Sequence, residues 1–155
     1  MIIIADSNIF MNALITPDSL VATILSERKR IQYIVPDYLI KEVTEHIPDI
    51  IGRTKEPKTQ RQLLADFKKL LKGITIVNIK EDVKKVNIQK AEDITRDVDP
   101  YDYPFIALHL EKGHKIWTLD KALKKGLTEK GYGHFFVRQV ELTSRLYKKE
   151  NKLQK

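Results

Sequence analysis

Apolar positions along the chain follow two alternating rhythms, one continuous and one spaced by three to four residues. Ile2 to Ala5 is an unbroken apolar run rich in β-branched residues, the mark of a strand covered on both faces. Asp6 stands at its carboxyl end, and Asn8 to Ile15 carries a helical pattern. Pro17 then occupies a first helical position with Thr16 as its cap. Leu20, Ile24 and Leu25 mark one face of that helix, which reaches about Arg30. Ile31 to Val35 predicts a second strand, closed by Pro36. Leu39, Ile40, Val43 and Ile47 predict a helix from Asp37 to Ile47, which Pro48 should kink or end.

Residues 52–60, GRTKEPKTQ, are polar and contain Gly52 and Pro57, so they predict a flexible loop. A helix follows through Leu63, Leu64, Phe67, Leu70 and Leu71, closed by Gly73. Ile74 to Ile79 predicts a third strand and Val83 to Ile94 a helix. Asp97 to Tyr103 is an acidic turn opened by Asp99-Pro100, and Phe105 to Leu110 is a short apolar helix capped by Gly113. Ile116 to Leu119 predicts a fourth strand with Asp120 at its carboxyl end, and Phe135 to Val140 is a candidate fifth. From about residue 141 a polar helix with Leu142, Leu146 and Tyr147 runs into a Lys-rich tail. Strands alternating with helices predict an α/β fold, a three-layer sandwich around a mostly parallel sheet of four to five strands. No internal repeat or second domain is visible, so residues 1–155 read as one domain.

That architecture directs attention to strand ends, because open α/β sheets bind ligands outside the carboxyl ends of their strands. Asp6 and Asp120 both fall there, and each has a plainer reading as a helix N-cap. Glu42, in YLIKEVTEH, follows Leu39 by three residues and precedes Val43. It borders the apolar stripe and points toward the upper edge of the sheet or simply into solvent. Glu45 and His46 compete with it, His46 reading better as a surface or supporting residue. Asp102 opens a helix in DPYDYPFIALHL, and with Asp97 and Asp99 it makes three acids in one turn, more than a cap requires. Carboxylates brought together repel unless a cation lies among them.

Composition narrows the chemistry. There is no cysteine, which excludes disulfides, thiolate metal sites and a cysteine nucleophile. The four histidines show no metal-ligand spacing. No Ser–His–Asp set and no Gly-rich phosphate loop is evident. Lys and Arg exceed Asp and Glu to give a net charge of +7, which suits a polyanionic partner. Lys121, Lys124 and Lys125 follow the last acid directly, and Lys55, Lys58 and Arg61 flank the polar loop. Tyr101 and Tyr103 bracket Asp102 and offer a base-stacking surface or core packing. The apolar start lacks a basic n-region and no run is long enough to span a bilayer. The expectation is a cytoplasmic protein with no membrane association.

The stretches IIIADSNIF, YLIKEV and YDYPFIALHLEKGHKIWTLD resemble the PIN domain, the nuclease fold of many prokaryotic toxins and RNA-processing enzymes. The last is the most specific: an Asp, an Ile-Ala-Leu helix, a Gly, a strand and Thr-x-Asp. The likeness covers roughly residues 1–140. It implies an acidic quartet of Asp6, Glu42, Asp102 and Asp120, supported by Asn8 and Thr118. It also implies a Mg²⁺ or Mn²⁺ cofactor, an RNA substrate, a homodimer and, for toxin-type members, a small antitoxin partner. Some members carry a further acid just past the last Asp. Here Lys121 and Ala122 follow, which leaves Asp99 as the candidate fifth ligand. The implied activity is metal-dependent endoribonucleolytic hydrolysis. Two rivals are a catalytically weak RNA-binding or assembly module on the same fold and an Mg²⁺-dependent phosphoacceptor or phosphatase. The phosphatase is disfavoured because Ser7-Asn8, not a second Asp, follows Asp6.

Overall fold

The computed structural model describes residues 1–153, with side chains through residue 146. The end of the Lys-rich tail and the Tyr147 side chain therefore lie outside the described residues. Four strands form an all-parallel sheet in the order β3-β2-β1-β4. These are β1 (Ile2–Ala5), β2 (Gln32–Pro36), β3 (Thr75–Val77) and β4 (Ile116–Trp117). In register, Ile3 pairs with Tyr33, Ile4 with both Ile34 and Ile116, and Val35 with Ile76. The continuous apolar run of β1 is explained by this central position, because helices cover both faces and leave Ile3, Ile4 and Ala5 buried.

The helices are α1 (Ser7–Ile15), α2 (Leu20–Ser26), α3 (Tyr38–Ile51), α4 (Gln60–Leu70), α5 (Ile79–Asp82), α6 (Lys85–Thr95), α7 (Tyr103–Lys112), α8 (Lys121–Glu129) and α9 (Gln139–Leu153). Helix α1 packs on α2, α3 and α4, while α6 packs on α7, and the sheet lies between these groups. The Phe10 and Phe67 rings meet edge to face at 6.0 Å and tie α1 to α4. Trp117 and Tyr33, both buried, lie 6.1 Å apart. No single helix among the described residues is long and apolar enough to cross a membrane.

Several element boundaries depart from the sequence expectation, each for a local reason. Thr16 closes α1 instead of capping the next helix; its N–H donates to the Asn12 carbonyl. Ser19 caps α2, its hydroxyl accepting from the Ala22 N–H at 3.1 Å, and that helix stops at Ser26. Pro48 sits inside α3, which continues to Ile51. The carbonyl deprived of its partner belongs to Thr44, which like Pro48 is exposed, so water can satisfy it. The third strand is confined to Thr75–Val77. The helix expected from Val83 is divided in two, because Asn78 caps α5 and the Lys84 N–H is taken by the Glu111 carboxylate at 2.6 Å.

The candidate fifth strand over 135–140 does not form. Gly133–Phe135 is a 3-10 turn, Phe136 makes one parallel bridge to Ile116, and α9 begins at Gln139. The apolarity of Phe135, Phe136 and Val137 reflects burial alone, which Phe135 achieves against the His109 ring at 4.1 Å.

Gly113 ends α7 as read from the sequence, with φ +79. A Cβ there would meet nothing within 4 Å, so Gly113→Ala would cost only backbone strain, about 1 kcal/mol. A thermal melt should show Tm lower by roughly 2–4 °C. An unchanged Tm would mean that the turn relaxes.

Candidate metal centre

The strand order places β1 beside β4 although the chain first runs outward through β2 and β3. Chain connections therefore diverge between β1 and β4, and such a switch point opens a crevice at the carboxyl edge. Asp6 follows β1 and Asp120 lies just beyond β4. The Asp6 N–H donates to the Trp117 carbonyl at 2.9 Å, which extends the pairing and fixes Asp6 at the mouth of this crevice.

Asp6 is buried and held from several sides. Its Oδ1 accepts the Ser7 N–H at 2.7 Å, and its Oδ2 accepts the Thr118 hydroxyl at 2.6 Å and the Asn8 amide at 3.4 Å. The Thr118 oxygen in turn accepts from Asn8 Nδ2 at 3.1 Å and from the Asp120 N–H at 3.0 Å. Asn8 Oδ1 accepts the Leu119 N–H at 3.1 Å. The buried Thr118 hydroxyl thus uses its donor and both acceptor positions, and one network joins the ends of β1 and β4. Asn8 and Thr118 are both members of this network.

Glu42 joins through a residue that the sequence reading passed over. The Ser7 hydroxyl bonds the Glu42 carboxylate and lies 3.3 Å from Asp6 Oδ1. A hydroxyl has one proton, so two carboxylates converge on a single donor. The signal in the sequence is the Asp-Ser-Asn triplet, which sets a hydroxyl directly beside the strand-end acid. Glu42 is half-buried, whereas Glu45 and His46 face solvent, each near a surface partner, Lys41 at 4.0 Å and Asp49 at 3.5 Å.

Asp99, Asp102 and Asp120 complete the cluster, one carboxylate oxygen from each lying within 4.8 Å of the other two. The cap readings hold for two of the expected acids: Asp6 caps α1 and Asp120 caps α8, accepting the Leu123 N–H at 3.0 Å. Capping engages one oxygen of each; the other accepts from Thr118 and Asn8 in Asp6 and has no described hydrogen bond in Asp120. Asp102 is different, since it precedes α7 with no side-chain cap bond although it is only 8% exposed. Asp99 accepts the Tyr101 N–H at 3.1 Å and borders Asp102.

The electrostatics follow from this crowding. Burial first, then the charge of Glu42, pushes the Asp6 carboxyl up to about 6 against the hydrogen bonds from Thr118 and Ser7. Asp102 is driven far above the carboxylate range by burial, then by Asp6, Asp99 and Glu42. Tyr38, at the start of α3, is pushed up to about 12 by burial and by the carboxylates of Glu42 and Asp102. Among the described residues, none of the five acids forms an ion pair with Lys, Arg or His. Five acids collected without a counter-charge, offering only oxygen donors, suit a hard divalent cation.

The basic residues divide. Lys121, Lys124 and Lys125 occupy the opening turns of α8, beside Asp120. Lys55, Lys58 and Arg61 follow the far end of α3, roughly 20 Å of helix from its start, and Lys58 is paired with Asp66 at 2.7 Å. That second group is not part of the acidic site. Tyr101 is 71% exposed beside the cluster, and Tyr103 is half-buried against the core.

Comparison with known proteins agrees with this architecture. The family model described as "PIN domain" matches residues 4–144. Among solved structures, the crystal structure of VapBC2 from Rickettsia felis bound to a DNA fragment from their promoter superposes with a TM-score of 0.63. The identity is 12%, and the match covers 81% of this chain and 92% of that one. No curated protein gives a significant match. The chain belongs to the PIN-domain family.

Proposed function

We propose that this protein is an endoribonuclease that hydrolyses RNA phosphodiester bonds with Mg²⁺ or Mn²⁺ held by Asp6, Glu42, Asp102 and Asp120, with Asp99 as a further ligand. PIN domains are generally nucleases, which supports the coarser activity. The observation that carries the finer reading is the gathering of Asp99, Asp102 and Asp120, with Asp6 and Glu42 close enough to act on Asp102, at the sheet's switch point, where no described basic side chain pairs with them. Oxygen-only ligation selects hard cations that retain water and accept phosphate oxygens. Bound there, such an ion would supply an acidified water and offset charge on the phosphate.

The protein's own groups do the remaining work in this reading. Ser7, Asn8 and Thr118 orient the Asp6 carboxylate, and Glu42, at the half-buried rim, accepts the proton of the attacking water. Lys121, Lys124 and Lys125 hold RNA phosphates. The proposal includes a cytoplasmic location, a homodimer and a small antitoxin, as the likeness to toxin-type PIN proteins implies.

Matched RNA and DNA oligonucleotides incubated with Mn²⁺, Mg²⁺ or EDTA test it. Cleavage of RNA that disappears in EDTA is expected. Cleavage that persists in EDTA, or none with either ion, would overturn the proposal. If the three lysines each neutralise one phosphate, RNA affinity should fall with salt at a log–log slope of about −2. A flat response would remove them from the substrate path.

A further inference from the structure

Beside the acidic cluster lies a cavity of about 500 Å³ bordered by Tyr38, Tyr103, Lys41, Lys80, Asn78 and Glu92. We propose that it is a nucleobase subsite that favours guanine and receives a nucleotide next to the scissile phosphate; this rests on the nuclease reading above. Its size falls within the range of small-molecule pockets. Two of its walls belong to the acidic site as well. Tyr103 follows Asp102 directly, and the Tyr38 hydroxyl lies in the field of Glu42 and Asp102. A base held here is therefore one short step along the strand from the carboxylates.

The lining supplies the contacts that single-stranded RNA needs. Two half-buried tyrosines offer aromatic surface for base stacking. Lys41 and Lys80 offer charge for the flanking phosphate, and among the described residues Lys41 pairs with Glu45 alone, at 4.0 Å on the surface.

Glu92 carries the base preference. It is half-buried on α6, and among the described residues its carboxylate has no hydrogen-bond or ion-pair partner, whereas neighbouring Asp93 is taken by Gln89 and Arg96. An ionised carboxylate only accepts hydrogen bonds. Guanine alone presents two adjacent kinds of N–H donor, N1–H and N2–H₂, on its Watson–Crick edge. A carboxylate can take both at once, and purines also stack over a larger area.

The test is calorimetric titration of the full chain in EDTA with 5′-GMP, 5′-AMP, 5′-CMP and 5′-UMP. GMP should bind at least about tenfold more tightly than the others. Glu92→Gln should reduce GMP to their level, and Tyr103→Leu should weaken all four by about tenfold. Equal affinities, absence of saturable GMP binding at millimolar concentration, or GMP binding untouched by Glu92→Gln would overturn the proposal. Tighter binding of N-acetylarginine amide than of GMP would also overturn it, since the pocket would then receive a cationic side chain. The wild-type preference decides even where a variant fails to fold. Because metal is absent, the outcome separates from the nuclease reading. GMP selectivity without any RNA cleavage retains the pocket and sinks the nuclease; cleavage without selectivity does the reverse.

Discussion

Asp102→Asn should reduce metal-dependent RNA cleavage by at least about 100-fold and leave the protein folded. The magnitude is set by comparison: groups that merely orient metal ligands already cost about 10–100-fold when changed, and Asp102 is proposed as a ligand itself. Asparagine keeps the shape of the side chain and removes the negative charge. The plainer role of Asp102, helix capping, predicts no loss, because asparagine caps about as well as aspartate. The structure weakens that alternative further, since the Asp102 side chain makes no cap bond at all. Stability gives a second, opposite readout. Burial and the charges of Asp6, Asp99 and Glu42 disfavour ionised Asp102 in the folded state. In EDTA at neutral pH the asparagine variant should therefore melt at the same or a higher temperature than the wild type. Addition of Mn²⁺ should raise the wild-type Tm more than that of the variant. Full cleavage by the variant would remove Asp102 from the site.

The acids could be found in the sequence because strand ends are marked twice, by a β-branched run and by the polar residue that ends it. Asp6 after IIIA follows that rule; β4 stops at Trp117 rather than at the expected Leu119, yet Asp120 lies only three residues beyond it, and a parallel sheet brings both acids to one edge. Partners that depend on tertiary packing were less visible. Ser7 matters only because Glu42 arrives from α3 to share its hydroxyl, and Tyr38 matters only because Glu42 and Asp102 lie near it. Neither meeting leaves a periodic trace. The fifth strand misled for a related reason: the apolar run Phe135–Val137 is buried by ring packing, and periodicity alone does not separate a short buried strand from a buried turn. The basic charge of Lys55, Lys58 and Arg61 carries no information about which end of a helix faces the acids, and the group follows the far end of α3.

Metal-free protein should lose stability as pH rises from 5 to 8, and Mn²⁺ should restore it most at the upper end. Asp6 has a folded-state value raised from 3.8 to about 6. A raised carboxylate contributes its full stabilisation below 3.8, where both states are protonated, and loses it as pH climbs through about 6. Over its whole titration that difference corresponds to about 3 kcal/mol for Asp6; about half is already lost at pH 5, which leaves about 1.5 kcal/mol, or roughly 3–6 °C in Tm, for the rise to pH 8. Asp102 is raised by the same causes and carries the decline toward neutral pH. Apart from His109, the other shifted groups act outside this range. Asp97 and Glu111 are held below their ordinary values of 3.8 and 4.5 by hydrogen bonds, from Lys130 to Asp97 and from the Lys84 backbone to Glu111, so their contributions vanish only in stronger acid. His109, lowered below 6.5 by burial, acts in the opposite sense, since its folded state resists protonation that the unfolded chain accepts. Its effect cancels when wild type is compared with Asp102→Asn at each pH. The wild-type curve in EDTA should fall more steeply than the variant's across this range. A divalent ion replaces protons as the partner of the carboxylates, so its stabilisation should be small at pH 5 and grow toward pH 8, reaching about 2.7 kcal/mol at a hundredfold excess over its Kd. Melting curves in EDTA that coincide for the two proteins, with no added Tm from Mn²⁺ at pH 8, would show that the carboxylates are not held against one another and that no cation is needed among them.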